Sequence, residues 1–199
     1  MMKRVIFYLV GLCFIALGGA SVKTSHIGAG AWDAAVFGMA SSIGLTPGTW
    51  IIIVGFILML INAYLSKEKI DFLAFLTTFT IGFLIDGWLF LVFNQLHPEN
   101  LTQQILFFVF GFISIIIGAG VYLQAEFAPS PVDNFMLAIK KRFKLELSRS
   151  RLICEMVGLT LALIFSGPIS VGTFIFLFGM GPCVQFSHKK MNKFYKRLG

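Results

Sequence analysis

The chain has 199 residues, of which 57% are hydrophobic and 13% charged, with 23 phenylalanines and a mean hydropathy of +0.87. Ordinary soluble domains are about 45–50% apolar and ~25% charged, so these proportions exclude a soluble enzyme, a disordered regulator and a disulfide-stapled secreted module, and indicate an integral membrane protein. Sixteen Lys and Arg against nine Asp and Glu leave a formal charge of +7. Because the basic residues sit between long apolar runs, they fit anionic lipid headgroups and not nucleic acid.

A spanning helix needs about 20 mostly apolar residues. In chain order the spans are predicted at 5–22, 48–65, 72–94, 104–124, 152–168 and 170–187, the last two meeting at a tight turn, Ser166-Gly167-Pro168. Lys3 and Arg4 ahead of Val5–Leu17 and Gly18-Gly19-Ala20-Ser21 have the layout of a secretory signal peptide. The same segment recurs later in the chain, so it is expected to stay as a mature helix. With the N-terminus in the cytoplasm, every Lys and Arg except Lys23 falls in an inside segment. The positive-inside rule then favours a multi-pass protein of the cell membrane with both termini cytoplasmic.

Displacing the sequence by 100 residues lays Phe7, Gly11, Ile15 and Gly18 on Phe107, Gly111, Ile115 and Gly118, and Asp33 on Asp133. Positions 7, 11, 15 and 18 share one helix face, and glycines on such a face let helices approach closely. The predicted fold is therefore all-α: a polytopic membrane helix bundle of six spans, arranged as two inverted three-helix repeats with short elbow helices. A single transmembrane domain covers 1–199, with repeat one at about 5–94, repeat two at about 105–187 and a basic cytoplasmic tail at 188–199. Units with an odd number of spans in tandem must face opposite ways, and such repeats commonly hold solute at their interface.

After the first helix of each unit comes an elbow that ends in an aspartate. The first is Ile27-Gly28-Ala29-Gly30-Ala31-Trp32-Asp33, opening a weak helix over Ala34–Ser42, and the second is Phe127-Ala128-Pro129-Ser130-Pro131-Val132-Asp133, opening a helix over Asn134–Phe143. Asp33 and Asp133 either cap these helices or, with the helix N-termini, line a solute or cation site. Unit one's helix is nearly uncharged and is able to dip into the bilayer. Unit two's carries Lys140, Lys141, Arg142 and Lys144 and is expected at the cytoplasmic surface.

Asp86, in the outer half of the third span, faces a cavity or partner such as Lys23 or His26, or else sits in interfacial water. Glu155, four residues after Arg151 and near the cytoplasmic entry of span five, has the spacing of a helix-face ion pair. Trp50 and Trp88 fit an aromatic belt, and Asn100-Leu101-Thr102 matches a glycosylation pattern. Cys13, Cys154 and Cys183 lie in apolar stretches without metal-ligand spacing. No nucleotide-binding loop, metal cluster or catalytic arrangement is legible, so neither enzymatic activity nor a cofactor is expected.

The series Gly28-Ala29-Gly30-Ala31-Trp32-Asp33, Gly44-Leu45-Thr46-Pro47-Gly48-Thr49-Trp50 and Ile85-Asp86 resembles the YczE/YyaS/YitT group of bacterial membrane proteins. So do Ala128-Pro129-Ser130-Pro131-Val132-Asp133, Gly167-Pro168-Ile169-Ser170-Val171-Gly172-Thr173 and Gly181-Pro182 in the second half. The resemblance implies a largely uncharacterised group, some members of which are linked to the production of nonribosomally made antibiotics. Where such members usually show Gly-Pro-Trp-Asp, this chain has Gly30-Ala31-Trp32-Asp33, and Ala128 and Ser130 stand where glycines are expected.

Two functions are consistent with these features. One is a small-solute transporter or channel in which Asp33, Asp86, Asp133, Trp32 and His26 bind a polar solute or cation, while Gly11, Gly18, Gly111 and Gly118 serve packing. The other is an accessory or regulatory membrane protein acting through protein partners, with Lys140–Lys144 and Lys189–Arg197 as docking segments for acidic partners or headgroups.

Overall fold

A computed structural model describes residues 2–127 and 129–197. The second elbow's Ala128 lies outside the described residues. All regular structure among them is helical: α1 (Met2–Ser25), α2 (Ala31–Ile43), α3 (Pro47–Ser66), α4 (Phe72–Leu91), α5 (Leu101–Tyr122), α6 (Pro131–Phe143), α7 (Leu147–Ile164) and α8 (Val171–Arg197), with a short 3-10 turn at Leu123–Ala125. Four of them, α1, α3, α4 and α5 (the last counted through Ala125), are long and apolar enough to cross a membrane.

Polar caps set the helix starts. Thr46, Asp71, Asn100 and Ser130 each accept a backbone N–H of the first turn with the side chain, from Thr49, Ala74, Gln103 and Asp133 respectively. Pro47 and Pro131 follow two of these caps directly, where their fixed φ favours a helix start. Asn100, the residue of the glycosylation pattern, is thus a helix cap, its Oδ1 2.9 Å from the Gln103 amide.

The closest helix pair is α1 with α5. Gly11 lies against Gly118, and Gly18 against Gly111. A Cβ added to Gly18 would stand 2.5 Å from the Gly111 carbonyl oxygen, and one on Gly118 2.7 Å from that of Gly11. Ser21 Oγ donates across the same interface to the Phe107 carbonyl at 2.8 Å. Small residues that bring two backbones together are how helices associate where lipid offers no hydrophobic drive.

The two short helices pack across the halves of the chain, while two of the long ones pack within a half. α2 lies on α7, and α6 on α3; α4 flanks α1, and α8 flanks α5. Within the first half, α3 and α4 close tightly: Gly48 meets Gly82, and a Cβ on Gly55 would lie 2.5 Å from Thr78 Cγ2. α7 and α8, although consecutive, barely touch.

α2 is enclosed by the bundle and does not lie along its outside. Ala34, Ala35, Val36, Phe37, Gly38 and Met39 form an unbroken buried run within it. Several of them join Phe108, Ile115 and Phe176 in the main core. The outward faces of the long helices are apolar instead, with Ile6, Leu9, Phe79, Phe83, Leu106 and Phe110 all exposed.

Helix boundaries differ from the sequence reading mainly in the second half. α6 ends at Phe143 as expected, but the fifth predicted span, α7, begins at Leu147 and not at 152, because the polar run Ser148–Arg151 after the turn at Lys144 is already helical. The eighth continues through the basic segment after 187, so Lys189, Lys190, Lys193 and Lys196 are helical residues and not a separate tail. Both elbow helices start two residues before their aspartates, at Ala31 and Pro131.

Candidate functional site

Because α7 starts at Leu147, Glu155 is not at the entry of its helix. It stands halfway along the helix, not near an end. Opposite it is the first turn of α2, which presents Trp32 and Asp33. Together with Arg151 these residues line a cleft of about 160 Å³, walled on its other sides by Ile115 of α5 and by Phe176 and Met180 of α8.

Gly30 precedes α2 and makes no side-chain cap. Asp33 is partly buried, and its side chain makes no hydrogen bond among the described residues, so it is not a helix cap. The Trp32 ring lies over Gly158 of α7, whose added Cβ would sit 3.1 Å from the indole, and meets Phe135 of α6 edge-on at 6.0 Å. Its Nε1 is buried and has no hydrogen-bond partner within 3.5 Å among the described residues. Glycine at 158 is what leaves room for the indole.

Arg151 and Glu155 form no ion pair within 4.0 Å, since the two salt bridges among the described residues are Arg4–Glu126 and Lys141–Glu68. The Arg151 guanidinium instead reaches α8 at Gly181, whose added Cβ would be 3.3 Å from one of its terminal nitrogens. The local ion pair that i,i+4 spacing suggests is therefore not made: Arg151 extends across the cleft to a neighbour with no side chain.

The other residues singled out from sequence fall elsewhere. Asp86 closes the start of α3, where its Oδ1 accepts the Gly48 amide at 2.8 Å and its Oδ2 accepts the Thr46 hydroxyl. It also lines a second, outer cavity of about 320 Å³ with Lys23, His26 and His97, but pairs with neither Lys23 nor His26 in a salt bridge. His26 holds a left-handed backbone with φ of 58° and turns the chain after α1. Asp133 belongs to a capping pair: Ser130 Oγ accepts its amide at 3.2 Å and donates to its Oδ2 at 2.9 Å. It is exposed and distant in role from its counterpart Asp33.

The structure thus brings Trp32 and Asp33 together with Glu155 and Arg151, sets Asp86 with His26 in a separate cavity, and keeps Asp133 out of the lining of both, although it lies within electrostatic reach of Arg151 and Glu155. Among the described residues, no group of three or more His, Cys, Asp or Glu side chains is placed to hold a metal ion. Arg151 and Glu155 share a helix face in the sequence, but only with α7 beginning at Leu147 does Glu155 stand in mid-helix beside the cleft.

A family model described as a family of unknown function, DUF6198, matches residues 2–189. The uncharacterized protein YyaS of Bacillus subtilis (strain 168) is 34% identical over 172 residues, 86% of each chain. The uncharacterized membrane protein YczE of the same organism is 29% identical over 184 residues, 91% of this chain and 83% of its own. An uncharacterized protein of Haemophilus influenzae is 23% identical over 185 residues, 92% and 83% of the two chains. No solved structure matches significantly. With a family model covering nearly its whole length and relatives aligned end to end, the chain belongs to the DUF6198 family, with YyaS and YczE among its relatives.

Proposed function

We propose that this protein is a multi-pass, non-enzymatic membrane protein that moves a small solute, with the cleft of Trp32, Asp33, Arg151 and Glu155 as its binding site. The observation that carries the reading is the charged cleft halfway along α7, where the carboxyl groups of Asp33 and Glu155 have no hydrogen-bond partner among the described residues. Ionisable groups at membrane depth are costly and usually mark a solute path.

In this reading α7 and α8 are the fifth and sixth spans, both termini are cytoplasmic, and the two halves are inverted three-span units. The reciprocal packing of α2 on α7 and α6 on α3 supports that arrangement. So does the burial of α2, which sits inside the bundle against α7, α3 and α8 as a re-entrant helix does. Alternating access would then be one unit rocking on the other about the glycine-lined α1–α5 contact.

The test is thermal stability of the detergent-purified protein against fractionated cell metabolites, beside Asp33→Asn and Glu155→Gln. A ligand at 100 times its dissociation constant stabilises by about 2.7 kcal/mol. A fraction that stabilises the wild type and neither variant identifies the solute. Fractions that stabilise all three proteins alike, or none of them, refute the site and turn attention to docking by the basic surfaces of α6 and α8.

A further inference from the structure

Two places in the fold invite comparison. In the first half, α3 and α4 seal against each other, with Gly55 fitted under Thr78. In the second half, the residue 100 positions after Gly55 is Glu155, and α7 and α8 stand apart. A carboxyl side chain occupies the level at which the other pair closes.

The gap continues beyond the charged cleft. Adjoining it, and sharing Ala31, Glu155 and Leu177 with it, is a narrow apolar space of about 30 Å³ between Leu152, Met156, Leu159 and Phe174. Its outer lip is the apolar exterior of the bundle: Leu152, Met156 and Phe174 are 58%, 52% and 55% exposed. The opening between α7 and α8 therefore faces the surface that lipid covers, not water.

Inside, two carboxyl groups outnumber one guanidinium, and the guanidinium is drawn aside to Gly181. The cleft has room for several waters or for one compact head group. Its acceptors suit a donor with several N–H groups, and a primary ammonium carries three.

Resting on the transport reading above, we infer that the solute is a membrane-borne amphiphile with a primary ammonium head, entering sideways from the bilayer between α7 and α8. The head is held by Asp33 and Glu155, and the chain lies along Leu152, Met156 and Phe174.

The experiment uses the full chain in phosphatidylcholine nanodiscs, a lipid without a primary amine, with Trp50→Phe and Trp88→Phe so that Trp32 alone reports. Octylammonium is titrated beside octanol. The expected result is a saturable change in Trp32 emission with octylammonium and none with octanol, weakened about tenfold or more by Asp33→Asn or Glu155→Gln, since charge-assisted hydrogen bonds are lost. Met156→Trp, placed on the exposed lip where it leaves the core untouched, should weaken octylammonium as well, with its added emission subtracted from a ligand-free control.

A second arm competes octylammonium with lysophosphatidylethanolamine or lysophosphatidylcholine. Displacement by the former alone, weakened by Arg151→Gln, identifies an aminophospholipid source, whereas displacement by neither identifies a simple amine. Octanol titrating like octylammonium, lysophosphatidylcholine displacing as well as its amine counterpart, or folded carboxamide variants binding undiminished would each overturn the inference. If octylammonium fails while a water-soluble metabolite fraction stabilises the protein through Asp33 and Glu155, transport stands and only the lateral amine route falls.

Discussion

The contact between α1 and α5 is where a single methyl group should be most informative. Alanine at Gly18 would place its Cβ 2.5 Å from the Gly111 carbonyl oxygen and 2.6 Å from Ile115 Cγ1. Carbon contacts settle near 3.5–4.0 Å, so the helices must separate by about 1 Å, which forfeits roughly a quarter to a half of each neighbouring dispersion contact. Overpacking of this kind costs ~1–3 kcal/mol. Alanine is also a better helix former than glycine, by about 1 kcal/mol in water, so the proper comparison is a second helical glycine with free space. Gly87 in α4 is such a site, with no atom within 4 Å of an added Cβ.

Measured as thermal unfolding in one detergent, Gly18→Ala should melt about 2–12 °C below Gly87→Ala, taking ~2–4 °C per kcal/mol for a chain of this size. Adding Gly111→Ala to Gly18→Ala should cost less than the sum of the two single changes, because both load the same contact. If Gly18→Ala and Gly87→Ala melt together, the close approach of α1 and α5 is wrong.

Asp86→Ala removes the acceptor for both the Gly48 amide and the Thr46 hydroxyl and should cost ~1.5–3 kcal/mol of stability, while leaving ligand binding in the α7–α8 cleft intact; both are read from melting curves with and without ligand. Tyr8→Phe breaks the 2.8 Å bond between α1 and Thr77 of α4 and should lower stability by about 0.5–1.5 kcal/mol in the same assay. Ser130→Ala removes both halves of the capping pair with Asp133, with an expected loss of ~0.5–2 kcal/mol. For topology, Leu45→Cys in a chain cleared of its three cysteines should react with a membrane-impermeant maleimide from outside intact cells, and Lys67→Cys only after lysis; the reverse pattern would invert the orientation.

Long elements were legible from hydropathy because a spanning helix announces itself by length. α1, α3, α4 and α5 contain most of the predicted runs, and the acidic elbows each open a short helix. The start of α7 was not legible, since Ser148, Arg149, Ser150 and Arg151 depress hydropathy while still continuing the helix. That misplacement turned a mid-helix carboxylate into an apparent interfacial one. Asp86 was recognised as unusual, but its partner was sought among cations, whereas the structure supplies the free N–H groups at the start of α3, 38 residues upstream at Gly48. A helix N-terminus as partner leaves no charge signal in sequence. The likeness of Asp33 and Asp133 misled in the opposite sense: equal positions in the two elbows received unequal surroundings, because Ser130 provides a hydroxyl where Gly30 has none.

The crosswise packing of the short helices also bears on synthesis. α2 is complete once residue 43 has been made, yet the surface that covers it belongs to α7, more than a hundred residues later in the chain. Domains fold from the N-terminus as they emerge, but this half has nothing to enclose Asp33 and Trp32 until the second half arrives. Through that interval the insertion machinery, water at the membrane surface or another chain must shelter the segment. The closing event is then the arrival of α7, and a nascent chain halted before it carries an apolar helix whose one carboxyl group, Asp33, has no socket.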